Sequence, residues 1–529
     1  TNPISLMPKR CLLPSANNSS HTFICAFFSK QHYNISLTSI MEIFMFTLIT
    51  LALGAALLSE TPRNIIIVMT DDQGYGDIAA HGNPILKTPN LDKLHSQSVR
   101  FTDFHVSPTC APTRSALMTG RHEFKNGITH TIFERERLNP KAITLPQVLK
   151  TANYTTGIFG KWHLGDEPAY WPNKRGFDEM FIHGAGGIGQ TYPGSCGDAP
   201  NNKYFDPAIL HNGTFEKTKG YCTDVFFNQA ILWMTAQQKA NKPFFTYITP
   251  NAPHGPLICP PEYEKKYEGK VPPDAAKFFG MIENIDDNMG KLMAFLDQTG
   301  VAKDTLLIFM TDNGGTAGVK VFNAGMRGAK VTPYMGGTRV PAFWRWPAGF
   351  TGGKDCNKLT AHIDIFPTML QITNIPMPKE AASQVEGRSF LPLLKNPEAA
   401  WDDRVLFTHV GRWEKGKAAE SKYAFVSARN TRYNLVNNVK QGEKWELFDI
   451  STDPGEKNNI AETSPEVVQK LKGAIDRWWL EVTPLLVNED AIGPKINPFK
   501  ELYWKQFGGT PDPNMLKQMD PTSKQGKKK

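Results

Sequence analysis

The chain has 529 residues, 40% hydrophobic and 21% charged, with a formal net charge of +8. This is ordinary globular composition, and the length allows two or more domains around a large core. The basic excess is spread along the chain apart from a terminal KQGKKK, and no basic stripe or nucleic-acid motif accompanies it, so nucleic-acid binding is set aside.

In chain order, residues 1–40 show no clear periodicity and read as an upstream extension with no part in the fold. At Met41 begins MEIFMFTLITLALGAALLSE, an apolar run from Ile43 to Leu58 followed by small residues, which reads as a signal peptide over 41–60. Its n-region carries Glu42 and no Lys or Arg. The run is short for a membrane span, so no stable membrane anchor is expected and the mature protein is expected to be secreted or periplasmic. Removing the leader removes Cys11 and Cys25 and leaves Cys110, Cys196, Cys222, Cys259 and Cys356, an odd number for an exported chain. If Cys110 has a separate fate, the other four suffice for two disulfides. Cys196 and Cys222 are the nearest pair, and spacing leaves the connectivity open.

The first strand candidate is the continuous apolar run Ile65–Met69 in RNIIIVMTDDQGYGD, which ends in Asp71 and Asp72. The same design returns at DTLLIFMTDNGG, where Leu306–Met310 run into Asp312 and Asn313. Between them lie a helix candidate (TPNLDKLHSQSV), the turn HVSPTCAPTRSALMTG around Cys110, and the runs YTTGIFGKWHLG and PFFTYITPNAPHGP. Strands alternating with helices predict an α/β sheet with its ligands at the carboxyl ends of the strands. Three carboxylates and an amide oxygen at two strand ends are hard ligands, suited to calcium or magnesium and poorly suited to zinc.

From about residue 400, short antiparallel strands are predicted in RVLFTHV, KYAFVSARNTRYNLV and WELFDISTDPGEKNNIA. A helix over Pro465–Val482 follows, stopped by Pro484. The expected organisation is a catalytic α/β domain at 61–395, a smaller α+β subdomain at 396–485, and an extension at 486–529 that wraps the surface or is partly disordered.

CAPTRSALMTG matches the C-x-P-x-R signature, and with TDDQGYGD, GKWHLG, NAPHGP, TDNGG and RGAKVTPYMGGTRVP in order the chain resembles the type I sulfatases of the alkaline phosphatase superfamily over about residues 62–480. The resemblance implies a large mixed, mostly parallel sheet sandwiched by helices, with a smaller C-terminal antiparallel sheet. It also implies that a maturation enzyme oxidises Cys110 to Cα-formylglycine, which would account for the odd cysteine. Hydrated, that aldehyde is a geminal diol: one hydroxyl attacks sulfur, and the second drives sulfate out as the aldehyde re-forms.

The remaining roles are carried over by motif. Asp71, Asp72, Asp312 and Asn313, with the converted Cys110, resemble the ligands of a divalent cation, calcium with magnesium as the alternative. Arg114 resembles the residue that holds the formylglycine and offsets the carboxylates. Lys161 and His163 lie two apart, so on an extended segment they share a face; they resemble the pair that contacts sulfate and diol, with His163 taking the proton from the second hydroxyl. His254 resembles the general acid for the leaving alcohol, and Lys330 the second sulfate-binding lysine. Members commonly carry Glu where this chain has Met335.

The implied reaction is hydrolysis of an aryl or carbohydrate sulfate ester. The alternatives are a formylglycine-dependent phosphonate monoester or phosphodiester hydrolase and a sulfated-glycan binder whose cysteine is never converted. The Gly-rich stretch FIHGAGGIGQTYPGSCGDAPNNKYFDP is expected to shape a substrate cleft. Its aromatics Tyr192, Tyr204 and Phe205 either stack on a sugar or aryl ring or anchor the loop.

Overall fold

The computed structural model describes residues 61–522. The upstream extension, the leader and the lysine tail lie outside the described residues. Within them the strands, in chain order, are β1 (Asn64–Thr70), β2 (Val99–Phe101), β3 (Phe104–His105), β4 (Thr155–Lys161), β5 (Glu179–His183), β6 (Ala208–His211), β7 (Thr214–Lys217) and β8 (Phe244–Thr249). There follow β9 (Thr305–Thr311), β10 (Ala342–Arg345), β11 (Lys354–Cys356), β12 (Thr360–Ala361), β13 (Leu406–His409), β14 (Val426–Arg429), β15 (Tyr433–Asn437) and β16 (Trp445–Asp449).

Ten of these form one sheet in the order β11-β2-β10-β9-β1-β8-β4-β5-β6-β7. Its centre, β9-β1-β8-β4-β5, is parallel throughout. Antiparallel pairings lie toward the margins, at β10 on one side and β6–β7 on the other.

The apolar runs are continuous because both faces of this sheet are covered. Ile65, Ile67 and Met69 of β1 point into one hydrophobic cluster with Leu306, Ile308 and Met310 of β9. Ile66 and Val68 point into the other with Leu307 and Phe309. On the first face lie the helices Cys110–Thr119 and Ile365–Ile372. On the second lie Cys222–Lys239 and the 26-residue helix Pro273–Gln298, which contribute Phe226, Met234, Ile285 and Leu292. The sheet is therefore sandwiched by helices, as the resemblance implied.

The C-terminal meander β13-β14-β15-β16 is antiparallel and is backed by the helix Pro465–Val482, whose Leu471, Ile475, Trp478 and Trp479 face Leu435 and Leu447. Phe124 joins this cluster from the larger part of the chain. Beyond it, the helix Pro498–Phe507 sinks Phe499 into the first face of the main core. Asn497 Nδ2 donates to Asp166 Oδ2 at 2.9 Å and Lys500 Nζ to the Asp198 carbonyl at 3.1 Å, so this extension ties down the segment after β4 and the Gly-rich loop. Among the described residues no helix is long and apolar enough to cross a membrane.

The two-disulfide expectation fails. Cys196, Cys222, Cys259 and Cys356 are all buried free thiols. Each is enclosed by its own neighbours: Cys222 Sγ faces Asn251 Oδ1 at 3.4 Å, Cys356 Sγ faces the Pro397 carbonyl at 3.8 Å, and Cys259 lies against Gly280. They fill space as small apolar side chains.

Candidate active site

The parallel register builds the centre. Thr70 of β1 pairs with Thr311 of β9, so the next residues, Asp71 and Asp312, leave the sheet side by side. Asp312 N donates to the Thr70 carbonyl at 3.1 Å, and Asp72 N reaches Asp312 Oδ1 at 3.3 Å. Asn313 Nδ2 donates to Asp72 Oδ1 at 2.9 Å, which turns its carbonyl oxygen the other way. That Asn313 Oδ1 and Asp71 Oδ1 are both buried without a hydrogen-bond partner. One ligand atom from each of Asp71, Cys110 and Asp312 lies within 4.8 Å of the others. Burial and the neighbouring Asp312 push the Asp71 carboxyl well above its usual range. Crowded buried carboxylates and two orphaned oxygens are the surroundings a hard divalent cation relieves, so the residues fit one.

Cys110 opens the helix Cys110–Thr119, where unpaired N–H groups favour an anion. Burial pushes its thiol up, but Lys161 and Lys330 more than offset this and bring it down to about 7. Arg114, one turn further on, is buried and saturated. Its Nε and one terminal nitrogen donate to Asp312 Oδ2 at 3.1 and 2.7 Å, and the other reaches the Lys161 carbonyl at 3.1 Å and Thr249 Oγ1. It locks the cysteine helix to three strand ends.

The two lysines bracket the carboxylates. Lys161 Nζ meets Asp71 Oδ2 at 2.5 Å, both side chains fully buried. Lys330 Nζ meets Asp72 Oδ1 and lies 3.9 Å from Cys110 Sγ. The Lys330 turn is bolted to its surroundings: Lys330 N donates to the Gly315 carbonyl at 3.1 Å and Val331 N to the Pro108 carbonyl at 2.9 Å. Val331 accepts φ +68° there, a strained value for a β-branched residue. Met335 is buried, and its N donates to Glu456 Oε2 at 2.8 Å, so a carboxylate from beyond β16 braces the turn.

His163 is oriented differently from the expectation. β4 ends at Lys161, and His163 has φ +61°, so strand alternation no longer sets its direction. Its Nε2 instead meets the Thr131 carbonyl at 2.8 Å and Glu136 Oε2 at 3.1 Å, while its buried Nδ1 has no partner. Burial, reinforced by Lys161, holds the ring well below its usual pKa. His254 lies with Nε2 3.9 Å from Asp72 Oδ2 and Nδ1 2.7 Å from the Gly255 carbonyl. A carbonyl accepts only, so Nδ1 carries a hydrogen and Nε2 faces Asp72. Burial pushes His254 down to about 4, with Asp72 working against the shift.

The Gly-rich stretch packs against both histidines. A Cβ on Gly186 would sit 2.8 Å from the His163 ring, and one on Gly187 would sit 2.7 Å from that of His254. Only glycine leaves room for these rings. Tyr204 is a loop anchor: its hydroxyl donates toward the Asn251 and His254 carbonyls at 3.1 and 2.5 Å. Phe205 packs on Tyr221 with ring centroids 5.3 Å apart, and Tyr192 is half-buried at the loop tip.

All ten sequence-derived residues thus lie at or beside this centre, His163 on a turn with positive φ. Sequence reasoning passed over Thr131, whose carbonyl holds His163, Glu136, which lies beside the same ring nitrogen, and Glu456. The run IFERERLN, which contains Glu136, reads as a solvated charged segment, and no periodicity marks one of its acids as buried.

The Sulfatase family model matches residues 63–375, and the model for the C-terminal region of N-sulphoglucosamine sulphohydrolase matches residues 330–478. Arylsulfatase A of Bos taurus is 30% identical over 469 residues, covering 80% of this chain and 89% of the relative. N-acetylgalactosamine-6-sulfatase of Homo sapiens is 28% identical over 458 residues, covering 78% and 84% respectively. Among solved structures, Ps i-CgsB in complex with k-i-k-neocarrahexaose superposes with a TM-score of 0.71 at 26% identity, covering 84% of this chain and 97% of that one. A family match across more than half of the chain, and a relative 30% identical across four-fifths of it, establish that this protein belongs to the sulfatase family.

Proposed function

We propose that the protein hydrolyses sulfate esters of carbohydrates to alcohol and inorganic sulfate, with a formylglycine formed from Cys110 and a bound divalent cation. The observation that carries this reading is the convergence of Cys110 with Lys161, Lys330 and the three carboxylates at adjoining strand ends. Relatives named for a sugar sulfate and a structure bound to a neocarrahexaose support the carbohydrate class.

Asp71, Asp72, Asp312 and Asn313 would hold calcium, or magnesium, which would neutralise sulfate oxygen charge and acidify the nucleophile. Converted Cys110 would supply a hydrated aldehyde whose first hydroxyl attacks sulfur and whose second lets sulfate leave. The residues around it do the rest. Lys161 and Lys330 bind the sulfate oxygens, and their charges keep an anion favourable at Cys110. Arg114 holds the Cys110 helix in line with Asp312. His254 Nε2 donates a proton to the departing alcohol oxygen; an anionic ester beside it acts against the burial that depresses its pKa. His163, neutral and fixed by Thr131, accepts the proton of the second hydroxyl at Nδ1.

Formylglycine formation calls for a maturation enzyme, and that chemistry accords with an exported protein. Mass spectrometry of active enzyme should find the Cys110 peptide lighter by exchange of sulfur for oxygen with loss of hydrogen, or its hydrate. Full turnover of nitrophenyl sulfate with an intact Cys110 thiol would overturn the reading. Higher kcat/KM on a matched aryl phosphodiester than on the sulfate would move the assignment to a phosphoester hydrolase.

A further inference from the structure

Arg412 lies in the loop between β13 and β14 and reaches back to the strand-end centre. Its N donates to the Thr129 carbonyl at 2.9 Å, and a terminal guanidinium nitrogen donates to Thr131 Oγ1 at 2.8 Å. Thr131 is the residue whose carbonyl accepts from His163. The guanidinium is close enough to Cys110, Asp72 and Tyr192 for their charges to act on it.

Other arginines packed into the fold have a carboxylate or several carbonyl partners, although Nε of Arg175, Arg404 and Arg429 is also buried without one. Arg135 meets Glu489 at 3.2 Å, Arg429 meets Asp103 at 2.6 Å, and Arg404 meets Asp364. Arg175 meets the Pro140 and Ala142 carbonyls at 2.8 and 2.6 Å. Among the described residues Arg412 meets one hydroxyl and no carboxylate, and its buried Nε has no partner.

The position is also enforced. Arg412 has φ +59°, a region costly for any side-chain-bearing residue, and such strain persists where the surroundings over-determine it. A Cβ on the preceding Gly411 would sit 2.1 Å from the Thr129 carbonyl oxygen, so the loop is pressed onto the segment that supports His163. The result is a fixed cation with free donors, near a centre whose two lysines are committed to the scissile sulfate. A planar fork of donors matches a carboxylate or a sulfate.

We propose that Arg412 forms a subsite for a second anionic group on the same glycan, a sugar carboxylate or a second sulfate next to the scissile one. The inference rests on the sulfate-ester reading of the adjoining centre.

Calorimetric titration of the full chain with unconverted Cys110, in calcium, tests it without turnover. Three matched disaccharide monosulfates serve as probes, differing only in whether the neighbouring sugar is neutral, carries a uronate or carries a second sulfate. The expected result is roughly 10- to 100-fold tighter binding of at least one charged probe, the charged group preferred identifying the source. The gap should shrink at high salt, close to within about threefold in Arg412→Gln and persist in part in Arg412→Lys. Equal affinity of the wild type for all three probes would overturn the proposal, and needs no variant to fold. Equal loss on all three in Arg412→Gln would also overturn it, leaving Arg412 as a brace for Thr131. Separately, converted enzyme is assayed on nitrophenyl sulfate: no turnover alongside an intact binding gap would sink the hydrolase reading and leave the anion subsite standing.

Discussion

The strand ends of the main sheet and the C-terminal meander handle charge in opposite ways. At the strand ends, Lys161–Asp71 and Arg114–Asp312 are ion pairs with side chains at most 1% exposed. In the meander, Lys472–Glu443 and Lys422–Asp476 lie 25–42% exposed, over a core of Leu435, Leu447, Ile475 and paired tryptophans. Buried charge is costly unless it is fully paired, so the first region is held together by its partners and the second by apolar contact. One region is built around reactivity; the other stabilises the chain and lends Arg412 and Glu456 to it.

The sharpest way to break this contrast is Asp312→Ala. It strands Arg114 and removes a proposed cation ligand, so turnover of nitrophenyl sulfate should fall to background and stability by about 3–5 kcal/mol. Chelation of the wild type should likewise abolish turnover and lower the melting temperature, with calcium restoring both. Wild-type turnover of Asp312→Ala in chelator would remove the metal assignment.

Next in size, His254→Ala should lose about 10²–10⁴-fold more on a sugar sulfate than on nitrophenyl sulfate, because nitrophenolate leaves without a proton. His163→Ala should instead release a burst of alcohol before turnover stalls. A burst from His254→Ala, with equal losses on the two substrates, would exchange the two roles.

On the other side of the comparison, Ile475→Ala should cost about 2–5 kcal/mol by denaturant unfolding, through lost burial and the cavity left behind. Turnover per folded molecule should hold. A large fall in kcat at full folding would show the meander taking part in the chemistry beyond its loops. The smallest effect is expected for Lys472→Gln, which breaks an exposed pair and should change stability by less than about 1 kcal/mol. A larger loss would mean that surface pairs carry this sheet.

Much of the fold was legible because it rests on short-range pattern. The continuous apolar runs ending in Asp71 and Asp312 marked buried parallel strands, and Pro484 marked the end of the helix at Val482. The disulfide expectation failed because counting thiols says nothing about whether they meet; each of the four found a separate buried place. The shared-face argument for Lys161 and His163 failed because it assumed a strand that stops at Lys161.

What the sequence by itself determined was the identity and order of the candidate reactive groups. Strand-end carboxylates, the Cys110 turn and the Lys and His motifs are local features that survive as text. What only the tertiary structure decided was how those groups are held. Thr131 fixes His163, Glu456 braces the turn at Met335, and Arg412 is left without a counter-ion among the described residues, because burial and pairing depend on segments far apart in the chain. An acid inside a charged run looks solvated until the fold removes the water.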